Sequence, residues 1–223
     1  MSIFDILGPV MVGPSSSHTA GAVRIGQITR RLLGGTPVRA ELSLSGSFAS
    51  TGEGHGTPKA LVAGLLGLDP DDERVPMSFD LAREQGLTFT FGTCYLKDAH
   101  PNSVLIRAVG ADGDEIEVGA CSPGGGRIRV FLLDGMSTSL TGEFPTLVVR
   151  HADMPGYVSR ITAVVAQHGI NVSRLRLERE ERGGRALTVI ECDQRIPYAV
   201  KTAIAAVVGV NKVTRLNPGE ESK

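Results

Sequence analysis

Residues 38–58, VRAELSLSGSFASTGEGHGTP, run from a strand through a polar glycine loop into a helix. Val38, Ala40, Leu42 and Leu44 alternate with Arg39, Glu41 and Ser43, the period-two pattern of a half-buried strand. Thr57-Pro58 then predicts an N-cap with proline at the first helical position, and Leu61, Leu65 and Leu68 carry the helix on. A second polar loop, Gly13-Pro14-Ser15-Ser16-Ser17-His18-Thr19, also discharges into a helix. There Ile25, Ile28 and Leu32 form one stripe, Ser17 or a neighbouring serine is a plausible cap, and Gly34-Gly35 is the stop.

Residues 69–86 are charged and punctuated by proline, which predicts a loop with a short helix around Asp80–Glu84. Alternation then recurs through Leu87/Phe89/Phe91, Val104/Ile106/Ala108, Ile116/Val118/Ala120 and Ile128/Val130/Leu132, with a hairpin turn at Asp112-Gly113. Helices early and antiparallel strands late give an α+β class. Residues 134–145 are polar and contain Gly and Pro, the composition of a linker. Beyond them the order is strand 146–150, a helix opened by Met154-Pro155-Gly156 and closed by His168-Gly169, strands 170–177 and 186–192, a helix from Pro197 through Val208, and strand 210–216. This β-α-β-β-α-β order is the ferredoxin-like layout. Two domains follow, 1–140 and 146–220.

Composition narrows the class. The 223 residues carry 23 Lys+Arg against 24 Asp+Glu, a net charge of -1, which lacks the basic footprint of a nucleic-acid binder. A hydrophobic content of 41% is too high for disorder, and no stretch approaches the roughly 20 apolar residues of a membrane span. Met1–Asp5 does not resemble a signal peptide. Three cysteines, Cys94, Cys121 and Cys192, lie far apart in sequence, with neither disulfide nor metal spacing. They predict small buried residues, no metal held by this chain, and a cytoplasmic location. Glycine is abundant (28 residues) and clusters at the two polar loops and at Gly124-Gly125-Gly126. Glycine beside polar residues lets backbone approach a ligand closely.

The polar loops carry the candidate chemistry. Ser15, Ser16, Ser17, His18 and Thr19 are consecutive hydrogen-bonding side chains at a helix N-terminus, where free N–H groups and the dipole favour a carboxylate or phosphate. His55, between Gly54 and Gly56, has no bulky neighbours and suits proton abstraction near neutral pH. His100-Pro101-Asn102 is a third polar knot at a strand start, weak by itself. His151 and His168 have structural settings. A serine hydrolase built on Ser17 and His18 is disfavoured, because a Gly-x-Ser-x-Gly elbow is missing and adjacent residues at a helix start are not expected to face each other.

These motifs, with Phe4-Asp5-Ile6-Leu7-Gly8-Pro9 and the triple glycine, resemble the beta chain of the bacterial iron–sulfur-dependent L-serine dehydratase. Asp153-Met154-Pro155-Gly156 and Gly169-Ile170-Asn171-Val172 resemble an ACT domain. The first domain is similar to the allosteric substrate-binding domain of some D-3-phosphoglycerate dehydrogenases. The resemblance covers nearly the whole chain. It implies an L-serine ammonia-lyase that yields pyruvate and ammonia, with a [4Fe-4S] cluster held by a separate alpha subunit and not by this chain. His55 and His18 would be catalytic, with His55 the base. Ser15, Ser16, Ser17, Thr19, Gly54, Thr57, His100 and Asn102 would bind substrate. Pro155, Gly156 and Asn171 would mark an ACT ligand site, and the ACT domain would form a homodimer by pairing sheet edges. The competing reading is a non-catalytic amino-acid-sensing regulator, in which His55 binds ligand without chemistry.

Overall fold

The polar loops owe their places to two helices that pack unusually closely. The computed structural model of the chain describes residues 11–220, so Met1–Asp5 and the Phe4–Pro9 motif lie outside the described residues. The chain divides into two compact units between Asp134 and Gly135. The first holds α1 (Gly21–Leu33), β1 (Arg39–Gly46), α2 (Ser47–Thr51), α3 (Thr57–Leu66), α4 (Ser78–Glu84), β2 (Thr88–Thr93), β3 (Asn102–Val109), β4 (Glu115–Gly124) and β5 (Arg127–Leu133). Strands in its sheet are ordered β2-β1-β3-β4-β5. β3, β4 and β5 are antiparallel neighbours, as the alternation and the Asp112-Gly113 turn imply. β2 instead runs parallel to β1, because α2, α3 and α4 carry the chain back across the sheet between them.

Ile25, Ile28 and Leu32 of α1 are buried, and Ala40, Leu42 and Leu44 of β1 face the same core. Val38 stands before the first residue of β1 and is 42% exposed. Against α1 lies α3, and here glycine has a purpose. A Cβ on Gly64 would stand 1.9 Å from the Val23 carbonyl oxygen, and one on Gly26 would stand 2.3 Å from that of Leu61. Two reciprocal glycines therefore let the helix backbones touch, and the starts of both helices are drawn to one end of the pair.

The second unit, from Gly135 onward, holds β6 (Met136–Leu140), β7 (Thr146–Ala152), α5 (Tyr157–Gln167), β8 (Val172–Arg179), β9 (Arg185–Cys192), α6 (Tyr198–Ala205) and β10 (Val210–Leu216). β6 falls inside the 134–145 stretch that has linker composition. The four-stranded sheet is ordered β10-β7-β9-β8 with every pairing antiparallel, a ferredoxin-like sheet. Leu147, Val149, Ile161, Val165, Ile190, Val200 and Ile204 form its core. α6 starts one residue after Pro197, which is its N-cap, and ends at Ala205, short of the expected Val208. Val208 is left exposed, and its carbonyl instead accepts a hydrogen bond from the Tyr157 hydroxyl. Among the described residues no helix is long and apolar enough to cross a membrane.

Gly64→Ala should lower stability in urea by about 1–3 kcal/mol, the usual cost of overpacking, despite alanine's better helix propensity. Gly35→Ala, where an added Cβ meets nothing within 4 Å, should change it by less than about 0.5 kcal/mol. Equal midpoints for the two variants would refute the close contact.

Candidate active site

The serine loop does not enter α1 directly. Ser16–Ala20 form a single π turn ahead of it, a wide turn often found at functional sites. Ser15, extended at φ -142° and ψ 124°, caps that turn by accepting the His18 backbone N–H on its side chain. The turn folds the His18 ring inward, where it is 9% exposed. Its Nδ1 lies 3.5 Å from Ser15 Oγ and 3.4 Å from Ser17 Oγ. Its Nε2 lies 3.2 Å from Ser47 Oγ and 3.4 Å from Thr51 Oγ1. The steric expectation that Ser17 and His18 cannot face each other is thus corrected: the π turn brings hydroxyl and ring within reach, though at more than the 2.7–3.2 Å typical of strong hydrogen bonds.

His55 lies across from it, with ring centroids 4.9 Å apart and planes at 42°. His55 Nδ1 is 3.0 Å from the Thr51 carbonyl oxygen. A carbonyl only accepts, so Nδ1 carries the proton, and in the neutral ring Nε2 keeps its lone pair. Burial lowers the His18 pKa below the ordinary 6.5, the neighbouring His55 lowers it further, and a backbone hydrogen bond at Ser47 opposes the shift.

Threonine side chains brace the two loops. Thr57 is fully buried, and its hydroxyl donates to the His18 carbonyl at 3.1 Å. It occupies the first turn of α3, while Gly56 is the N-cap. Thr19 donates to the His55 carbonyl at 3.4 Å. Ser16, by contrast, has no hydrogen bond from its hydroxyl among the described residues. The third knot joins through backbone. Gly46 has φ +58°, and a Cβ there would sit 2.4 Å from the Pro101 carbonyl oxygen, which accepts the Ser47 N–H at 2.7 Å. His100 Nδ1 accepts the Asn102 N–H, and Asn102 Nδ2 donates to the Ser122 carbonyl. A Cβ on Gly21, at the start of α1, would collide with Ser122 Oγ at 2.0 Å. Arg24 reaches the triple-glycine turn, donating to Gly126 O at 2.7 Å. Gly54 is exposed, and a Cβ there would meet only Thr51 O at 3.7 Å.

Ser47 and Thr51 are functional candidates that appear only in the fold. Their i, i+4 spacing on one turn of helix was the available signal. Pro155 and Gly156 precede α5 and Asn171 follows it, about 16 Å away along an eleven-residue helix, so one protomer does not bring them together. Asn171 Nδ2 instead donates to Asp193. His151 is buried between the Ala152 carbonyl and the Thr188 hydroxyl.

A groove of about 440 Å³ runs past the outer side of the glycine loop, lined by Leu44, Phe48, Glu53, Pro58, Phe79 and Phe91 among others. Neither histidine lines it. Among the described residues no three His, Cys, Asp or Glu side chains converge as metal ligands. Cys121 and Cys192 are buried, and burial raises the thiol pKa at all three cysteines, at Cys192 to about 11. These residues do not fit a cluster.

The family model described as serine dehydratase beta chain matches residues 2–86, and the ACT domain model matches residues 146–209. The probable L-serine dehydratase beta chain of Bacillus subtilis is 39% identical over 215 residues, covering 96% of this chain and 97% of that one. The L-serine dehydratase beta chain of Peptoniphilus asaccharolyticus is 36% identical, covering 92% and 93%. A D-3-phosphoglycerate dehydrogenase of Mycobacterium leprae is 28% identical over 138 residues, 61% of this chain and 26% of that one. Identity at this level along nearly the full length of two relatives places the chain in the serine dehydratase beta chain family.

Proposed function

We propose that this chain is the beta subunit of an L-serine dehydratase that converts L-serine to pyruvate and ammonia in the cytoplasm, working with an alpha subunit that holds a [4Fe-4S] cluster. The observation that carries the reading is the bond from His55 to the Thr51 carbonyl. It fixes the ring and leaves Nε2 as a basic nitrogen beside the serine turn. In this reading the Cα proton of L-serine passes to His55 Nε2. The substrate carboxylate sits at the serine turn, where the Ser16 hydroxyl has no hydrogen bond among the described residues and the Ser15 and Ser17 hydroxyls lie 3.5 Å apart. Thr19 and Thr57 hold the two loops together and serve binding indirectly. His100 and Asn102 line the same end of the sheet through the Pro101–Ser47 bond. The cluster, when bound in the partner, supplies the Lewis acid for the leaving hydroxyl.

His18 takes a supporting part. Its desolvated ring stays neutral at pH 7, so one neutral histidine stands beside one base and the pair avoids carrying two charges. The C-terminal unit supports homodimerisation through its exposed edge strand β8, in keeping with the ACT assignment.

Anaerobic co-expression with the alpha subunit tests the reading. L-serine should give pyruvate, and His55→Ala should lose at least about 10²-fold in turnover while keeping its circular dichroism spectrum. Near-normal turnover would remove His55 as the base. The His18 shift has a sign that urea titration can check. A folded-state pKa below the unfolded value leaves stability unaffected above pH 6.5 and lowers it as pH falls from there towards the folded value. In His18→Gln that part of the acid sensitivity should vanish; an unchanged pH slope would contradict the shift.

A further inference from the structure

We propose that Ser47 and Thr51 are positioning residues, and that this single turn of α2 gives the two imidazoles opposite tautomers. The inference rests on the reading of His55 as the base.

Counting protons leads there. Each hydroxyl has one hydrogen to donate. Thr51 spends its own on the Ser47 carbonyl at 2.9 Å, the i-4 bond of a helical threonine. Its Oγ1 can then only accept from the groups that face it, Ser47 Oγ at 3.1 Å and His18 Nε2 at 3.4 Å. When Ser47 donates to Thr51, Ser47 Oγ is left to accept, and its other neighbour is His18 Nε2 at 3.2 Å. The chain of donors therefore runs His18 Nε2–H to Ser47, Ser47 to Thr51, and Thr51 to a main-chain carbonyl. In this arrangement His18 carries its proton on Nε2, with the Nδ1 lone pair turned to the hydroxyls of Ser15 and Ser17. The main-chain carbonyl of Thr51 does the reverse for His55, holding the proton on Nδ1.

Two consequences bear on the reaction. Both nitrogens of His18 are engaged, so only His55 Nε2 is open to the substrate Cα proton. One hydroxyl of the pair Ser15 and Ser17 is committed as a donor to His18, and the other, together with Ser16, remains to donate to a carboxylate.

Long-range ¹H–¹⁵N spectra of the full chain, labelled at histidine, read the tautomers without any need for turnover. Native protein should show His55 with Nδ1–H and His18 with Nε2–H. In Ser47→Ala the His18 tautomer ratio should fall at least threefold while His55 stays as it was, and Ser47→Thr should restore it. In the assembled enzyme with L-serine, the isosteric Thr51→Val should lower kcat about tenfold, the scale of a small misplacement of the base, with KM changed less than twofold. Thr51→Ser, which keeps the hydroxyl, should recover it. The proposal is overturned by His18 carrying Nδ1–H in the native chain, by Ser47→Ala leaving the ratio unchanged, or by Thr51→Val with native kcat. Should Ser47→Ala fail to fold, Thr51→Val is read in the same spectra and must also shift His18. An assembled native enzyme that makes no pyruvate from L-serine would defeat the functional reading instead, and the spectra would still decide the tautomers.

Discussion

The backbone contact between α1 and α3 is the constraint on which the rest of the first unit depends. Gly26 and Gly64 each remove the one atom that would hold the helices apart. Helices usually pack with axes 8–10 Å apart, and side chains at the crossing set that distance. With glycine on both sides the limit becomes main chain against main chain. The starts of the two helices are then close enough for the loops ahead of them to share hydrogen bonds. The Thr57 hydroxyl, in the first turn of α3, reaches the His18 carbonyl, and the Thr19 hydroxyl reaches the His55 carbonyl. A larger residue at either glycine would part the loops before it touched either histidine.

Much of this was legible in the chain. Alternation at Ala40, Leu42 and Leu44 gave β1, and the Ile25–Ile28–Leu32 stripe gave α1. The C-terminal element order gave the ferredoxin-like sheet. The features that local sequence does not express have a common cause. The π turn at Ser16–Ala20 has no propensity signature of its own, because a widened turn is chosen by what surrounds it. Helix α2 is five residues of Ser, Phe, Ala, Ser and Thr between glycines, a composition that loops share. The parallel pairing of β2 with β1 depends on a crossover through three helices, which periodicity within β2 cannot express. β6 has the polar, glycine-flanked texture of a linker. In each case local sequence is neutral and tertiary packing decides.

The site shows the same division. The residues expected to bind were largely brought together, but their hydrogens are spent unequally. The resemblance implies that Thr19 and Thr57 bind substrate; in the fold their hydroxyls join the loops. Hydroxyl-rich sequence therefore marks where a site lies without saying which hydroxyl faces a ligand. That distinction requires the acceptor of each proton, and a sequence does not give acceptors.

The two histidines illustrate how one short helix can set chemistry. They are of the same residue type and their rings are 4.9 Å apart, yet their partners differ. His18 is desolvated, and hydroxyls face both of its nitrogens, so a charge on it has to be accommodated beside a second imidazole. His55 sits on a glycine loop and spends only Nδ1, on the Thr51 carbonyl. Burial and the neighbouring His55 both disfavour a charge on His18. A base that must accept a proton from a weakly acidic carbon gains from a neutral neighbour. With His55 as the base, as proposed, a protonated His18 would raise the energy of an imidazolium there. Burying His18 and occupying both of its nitrogens removes that competition, which gives the glycine-rich loop and the serine turn a reason to be assembled around one histidine for the benefit of the other.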